Sequence, residues 1–131
     1  MSVGILVITH SHIGKSLCDA AISVLGNCPL PVRTLPVSFD CEPEEMISKA
    51  RELIKEIDQG EGVLVLTDMY GSTPSNIACS LRNSTVKVVA GINLPMLVRI
   101  MNYPQLDLVQ LTEKALSGGH EGVLPCHPKE H

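Results

Sequence analysis

Two runs in this chain have no polar residue to turn toward water. Val3-Gly4-Ile5-Leu6-Val7-Ile8 near the start and Val63-Leu64-Val65-Leu66 at mid-chain are short, continuous and rich in β-branched residues. A strand with one wet face alternates polar and apolar residues. A run that is apolar at every position is covered on both faces, which is the condition of a central strand in a parallel sheet. Each run ends in a polar pair, Thr9-His10 and Thr67-Asp68. Each is then followed by small polar residues, Ser11-His12 and Gly71-Ser72-Thr73, before a helical pattern begins.

The rest of the chain repeats this strand-then-helix rhythm. Residues 3–9 are the first strand. Leu17, Ala20, Ala21, Val24 and Leu25 then form a helical stripe between Gly14 and Gly26, and Pro29 and Pro31 block its continuation. Val32 to Val37 is a short second strand, weakened by Pro36, which marks the strand's end or a sheet edge. Asp40 to Glu45 opens a helix with acids in its first turn and an apolar face of Met46, Ala50, Leu53, Ile54 and Ile57. After the strand at 63–67, Thr73 is the expected N-cap and Pro74 the first helical residue of a helix running to about Leu81. Val86 to Ala90 is the fourth strand, and Asn93-Leu94-Pro95 leads into a helix carrying Met96, Leu97, Ile100 and Met101.

Leu106 to Leu111 reads as a short extra edge strand, because Asp107 and Gln110 interrupt its apolar residues. Thr112 then caps a short last helix that stops at Gly118-Gly119, and the chain from His120 onward is loose. The reading is one domain over 1–125 and a flexible tail over 126–131, with no repeat and no linker. Alternating strands and helices predict an α/β fold: a doubly wound, mostly parallel sheet in a three-layer sandwich. In the flavodoxin-like order 2-1-3-4, strands one and three are neighbours. His10 and Asp68 then stand at the carboxyl ends of adjacent strands, beside the switch point where ligands bind in such sheets.

Composition removes several function classes. With no Trp, one Phe and two Tyr, the chain lacks the stacking platforms of single-stranded nucleic-acid binders, and its net charge of −4 opposes a phosphate backbone. Five cysteines form an odd, dispersed set with no C-x-x-C, which predicts reduced thiols, small core residues and a cytoplasmic setting. The N-terminus enters a strand without a signal-peptide pattern, and no apolar run approaches the ~20 residues that span a bilayer. A membrane is then met only through partner proteins.

His10 and Asp68 form the constellation that can carry chemistry. A carboxylate accepting the Nδ1 proton of a neutral imidazole fixes the tautomer and turns the Nε2 lone pair outward. That nitrogen can attack phosphorus and hold a phosphoryl group, adding roughly two negative charges. Two helix N-termini, after Ser11-His12 and after Ser72-Thr73, face this crevice. The hydroxyls of Ser11, Ser72 and Thr73 and the amide of Gly71 are candidate phosphate donors. The bland alternatives are a solvated histidine, an aspartate bonded to loop amides, and turn or cap roles for Ser72 and Thr73.

Other sites fit less well. Gly14-Lys15-Ser16 resembles the end of a P-loop, but the required first glycine falls on Thr9. No G-x-G-x-x-G follows strand one, so neither a dinucleotide site nor any other cofactor is expected. His10 and His12 have no acidic or cysteine ligand nearby in sequence, and Cys126, His127 and His131 read as tail residues, so no metal is expected. A histidine phosphatase would carry Arg before its histidine, where this chain has Thr9.

The order and spacing of four segments complete the reading: Thr9-His10 closing strand one, Asp68 followed by Tyr70-Gly71-Ser72-Thr73-Pro74-x-Asn76, Gly91-Ile92-Asn93-Leu94-Pro95-Met96-Leu97, and Glu121-Gly122-Val123. Over essentially all of residues 1–125 the chain resembles the enzyme IIA component of the mannose class of the bacterial phosphoenolpyruvate-dependent sugar phosphotransferase system. Tyr70 stands where that family often has Trp, and Thr73 where it often has Ser. The resemblance implies that His10 accepts phosphate on Nε2 from the histidine-containing phosphocarrier protein and passes it to a IIB component during sugar uptake. It implies that the aspartate bonds Nδ1, and a homodimer in which a last strand crosses to the other subunit. With no IIB domain following within 131 residues, a stand-alone regulatory phosphocarrier is the alternative expectation. A further alternative is a noncatalytic α/β binding module that uses Leu94-Pro95-Met96.

Overall fold

The computed structural model describes residues 1–127, and the predicted tail residue His131 lies outside them. Strands and helices alternate in the order β1 (Gly4–His10), α1 (Ile13–Leu25), β2 (Val32–Val37), α2 (Pro43–Ile57), β3 (Val63–Thr67), α3 (Thr73–Cys79), β4 (Val86–Ala90), α4 (Leu94–Met101) and α5 (Leu108–Glu121). The sheet is parallel throughout, in the order β2-β1-β3-β4. This is the doubly wound, flavodoxin-like arrangement that the unbroken apolar runs predict. β1 and β3 are central and buried on both faces, and Pro36 lies on the edge strand β2.

Alternate side chains of the two central strands feed two separate cores. Ile5, Val7, Leu64 and Leu66 pack with Ala21, Leu97, Ile100, Leu111 and Ala115, under α1, α4 and α5. Leu6, Ile8, Val63 and Val65 pack with Ala50, Ile57, Ile77 and Leu81, under α2 and α3. The cores are aliphatic, as a chain this poor in aromatics requires. Among the described residues, no helix is long and apolar enough to cross a membrane. The cysteines do not all behave as core residues. Cys18 is buried, and burial pushes its thiol up to about 11, whereas Cys28 and Cys126 are exposed and Cys41 and Cys79 half-buried.

The structure corrects the sequence reading at the C-terminal end. Residues 106–111 form no strand, and among the described residues the sheet has four strands. Asp107 instead caps α5: its carboxylate accepts from the Gln110 backbone N–H at 2.8 Å, and the Gln110 side chain accepts from the Asp107 N–H, a reciprocal capping box. Leu108, Leu111 and Ala115 are then the buried stripe of one helix. Thr112 sits inside that helix, its hydroxyl donating to the Leu108 carbonyl. A subunit-crossing strand therefore does not come from 106–111.

Gly118 and Gly119, read as a stop, lie buried within α5 where α4 crosses it. A Cβ on Gly118 would meet Arg99 Cβ at 2.5 Å, and one on Gly122 would meet Pro95 Cβ at 2.3 Å. Glycine is there for close approach, not for termination. The third correction concerns α3: Ser72 is its N-cap, and Thr73 and Pro74 are its first helical residues.

Glycine to alanine inside an unpacked helix stabilises by roughly 0.5–1 kcal/mol. For Gly118→Ala the sign reverses. Overpacking against Arg99 lowers stability by about 1–3 kcal/mol, read from urea denaturation, while exposed Glu113→Ala stays within about 0.5 kcal/mol of wild type. A stabilised Gly118→Ala protein would mean that α4 and α5 do not approach this closely.

Candidate functional site

The site is built where β1 and β3 end side by side. Their register pairs Ile8 with Thr67, so the next residues, Thr9-His10 and Asp68, emerge together at the carboxyl edge of the sheet. One carboxylate oxygen of Asp68 joins them. Oδ2 accepts from the backbone N–H of His10 at 3.0 Å and lies 2.8 Å from the ring Nδ1. The other oxygen, Oδ1, accepts from the Met69 N–H at 3.1 Å. A carboxylate can only accept, so Nδ1 carries the proton, and in the neutral imidazole Nε2 then holds the lone pair. The Asp68 side chain is 14% exposed and that of His10 is 45% exposed, so the anchor is sheltered and the ring reaches solvent.

The turn after His10 is tight. Ser11 adopts φ +47°, and it is the one non-glycine residue with positive φ among those described. That conformation costs a side chain about 1–2 kcal/mol. The Ser11 N–H donates to the Val37 carbonyl of the neighbouring strand at 3.0 Å, which holds the turn in place. His12, the N-cap of α1, makes no side-chain capping bond. The cap comes from Thr9, whose buried hydroxyl accepts the Gly14 N–H at 2.9 Å.

A cleft of about 600 Å³ opens over His10, lined by Ser11, Val37, Ser38, Phe39, Thr73 and Pro74. Of the candidate phosphate donors, Ser11 and Thr73 line this cleft with His10. Gly71 and Ser72 do not, and their donors are engaged inside their own loop. The Gly71 N–H donates to Ser75 Oγ at 3.3 Å, and the Ser72 hydroxyl donates to the Met69 carbonyl at 2.6 Å. Among the described residues, no group of three His, Cys, Asp or Glu side chains is placed to hold a metal ion.

The buried bonds of two hydroxyls and the exposure of three large apolar side chains near the site escape sequence reasoning. Thr9 and Ser75 are buried hydroxyls that shape the two loops, and only their polarity inside apolar surroundings marks them. Phe39, the one phenylalanine of the chain, is fully exposed at the cleft, and Met69 and Tyr70 are also exposed after Asp68.

Burial raises the pKa of Asp68, but the bonds from the His10 ring, from the His10 backbone and from its own turn together outweigh it. The carboxyl is therefore held below its ordinary 3.8. A carboxyl whose folded pKa is depressed adds stability that is complete above the unfolded pKa and is lost as pH falls through the folded one. Asp68→Asn is thus expected to be less stable than wild type at neutral pH, with the gap closing as pH falls below about 3.8. Denaturant unfolding of both proteins across this range measures it, and a gap that persists unchanged in strong acid would contradict the assignment.

Comparison with known proteins completes the description. A family model described as the PTS system fructose IIA component, EIIA-man, matches residues 4–115. The transcriptional regulatory protein LevR of Bacillus subtilis (strain 168) is 31% identical over 113 residues, covering 81% of this chain and 12% of that protein. The PTS system mannose-specific EIIAB component of Escherichia coli (strain K12) is 30% identical over 129 residues, covering 94% of this chain and 39% of that protein. The chain thus spans less than half the length of either relative. Among solved structures, the mannose/sorbose specific IIA subunit from Enterococcus faecalis has the same fold, with a TM-score of 0.87 at 21% identity, covering 100% of this chain and 99% of that one. The PTS IIA protein associated with the fucose utilization operon of Streptococcus pneumoniae gives 0.80 at 26% identity, covering 95% and 96%. The family match runs from the first residue of β1 into α5 and takes in the whole sheet, with both His10 and Asp68. The chain belongs to the EIIA-man family of PTS system IIA components.

Proposed function

We propose that this protein is a phosphoryl carrier whose acceptor is His10. The carrying observation is the single Asp68 oxygen that takes both N–H groups of His10 and leaves Nε2 as the free nucleophile at an open cleft. In the step, the Nε2 lone pair forms a bond to the phosphorus of a phosphohistidine on the donor. The donor's N–P bond breaks, and that electron pair returns to the donor imidazole. The Nδ1 proton stays in place, and the Asp68 carboxylate balances the positive charge that develops on the ring. Onward transfer is the same exchange with an acceptor protein.

The donor is the histidine-containing phosphocarrier protein, and the acceptor is a IIB component in sugar uptake. Ser11 and Thr73 are the hydroxyls that reach the phosphoryl oxygens. The N-termini of α1 and α3 each add about 0.3–1 kcal/mol of favourable field for an anion. Gly71 and Ser72 shape the loop and bind phosphate only by exchanging their present partners. Asp68 opposes a dianion beside it, which keeps the group transferable. A regulatory carrier shares this chemistry and differs only in the acceptor. The match to LevR, a protein named as a transcriptional regulator, favours including it. The family reading also makes a homodimer the working unit, which sedimentation equilibrium tests.

Phosphorylated donor protein mixed with this chain should add one phosphate per chain by intact mass, and His10→Ala should add none. Phosphate uptake undiminished in His10→Ala would overturn the reading. Exposed Phe39 at the cleft, with exposed Met69 and Tyr70 following Asp68 in the chain, fits a protein donor that covers the cleft during transfer. Phe39→Ala is therefore expected to slow transfer from the protein donor by about 5- to 30-fold, the range of an interface anchor. It should leave phosphorylation by phosphoramidate, a small donor, unchanged. Equal slowing with both donors would make Phe39 part of the site itself.

A further inference from the structure

The turn that aims His10 is held on the β2 side by the bond from the Ser11 N–H to the Val37 carbonyl and on the α1 side by the Thr9 hydroxyl. Thr9 is buried in β1 with its side chain on the α1 side of the sheet. Its Oγ1 accepts the Gly14 N–H at 2.9 Å and donates to the Ser11 carbonyl at 3.4 Å. It therefore ties the residue just after His10 to the first turn of α1. His12, the residue in the capping position, makes no such bond. Gly14 permits the contact, because a Cβ there would stand 2.6 Å from Val7 Cγ1 and 3.1 Å from Thr9 Oγ1. Helix α1 comes down on β1 at this point, and Thr9 meets it.

His10 lies between Thr9, which carries the hydroxyl, and Ser11, whose carbonyl accepts from it. Its backbone N–H and its ring Nδ1 reach the same Asp68 oxygen, at 3.0 and 2.8 Å. Two bonds on one oxygen form together only if the backbone and the side-chain torsion of His10 are set together. The left-handed Ser11 beside it makes the turn prone to relax once a bond is lost. A relaxed turn keeps the strand ladder but frees the ring, and a free neutral imidazole divides between its two tautomers.

We propose that Thr9 is a positioning residue of the His10 site: its hydroxyl clamps the 10–12 turn so that His10 stays in the Nδ1–H tautomer with the Nε2 lone pair toward the cleft. Thr9 touches no reacting atom. The proposal rests on the reading of His10 as the phosphoryl acceptor, and its first readout does not need phosphorylation.

The test uses the full chain as wild type, Thr9→Val, Thr9→Ser and Ile57→Val, the last a core change near the opposite end of β1. Imidazole 15N chemical shifts give the His10 tautomer, and uptake of phosphate from the phosphorylated donor protein gives the rate. Thr9→Val should show mixed tautomers and a rate lower by on the order of tenfold to a hundredfold. Thr9→Ser, which keeps the hydroxyl, should restore both, and Ile57→Val should alter neither. Wild-type tautomer and rate in folded Thr9→Val overturn the proposal. So does an equal change in Ile57→Val, or a mixed tautomer in folded Thr9→Ser, which decides the matter even if Thr9→Val does not fold. If wild type takes up no phosphate while Thr9→Val still shifts the tautomer, the acceptor reading fails and the positioning role stands.

Discussion

One oxygen atom organises the chemistry of this molecule. Asp68 Oδ2 receives two N–H groups of a single residue, one from the backbone of His10 and one from its ring. The backbone bond extends the contact between β1 and β3 beyond the last ladder pair, and the ring bond turns that contact into a tautomer choice. A structural histidine needs only one of these bonds. Both together make the ring of a neutral imidazole a fixed donor on its inner side and turn the lone pair of its outer nitrogen away from Asp68. The same bonds hold the Asp68 pKa below its ordinary value against the pull of burial, which favours the charged carboxylate.

The fold's contribution is to bring the two residues to one place from 58 positions apart. Central parallel strands end on the same edge, and a 2-1-3-4 order makes β1 and β3 neighbours there. Around the pair, both loops are held by buried hydroxyls that lie away from the cleft. Thr9 fastens the turn after β1, and Ser75 accepts from Gly71 in the loop after β3. The second loop has closed its own donors on itself, so the cleft is floored by His10, Ser11 and Thr73.

The central architecture and the His10–Asp68 pair were legible in the sequence because continuous apolar runs have one physical solution, burial on both faces. Where the sequence misled, two physical solutions shared the same residues. Leu106, Leu108 and Leu111 suit a short edge strand, but Leu108, Leu111 and Ala115 suit a helix equally well, and the Asp107–Gln110 capping box decides between them. Gly118-Gly119 suits a helix end or a close crossing, and only the presence of Arg99 and Met96 above them distinguishes the two. Ser72 and Thr73 are both good caps, and the backbone chose the earlier. Thr9 was visible as a polar end to an apolar strand, yet its bond to Gly14 depends on how closely α1 sits on β1, which no pattern within the strand encodes.

The measurement that bears most directly on the central claim is identification of the nitrogen that holds phosphate, by 15N and 31P NMR of the freshly phosphorylated chain. The account expects a single phosphohistidine at His10, bonded through Nε2, with Nδ1 still protonated against Asp68. Phosphate on Nδ1 of His10, or on another residue while His10 is unmodified, would contradict it, because the bond to Asp68 would then not be what sets the nucleophile.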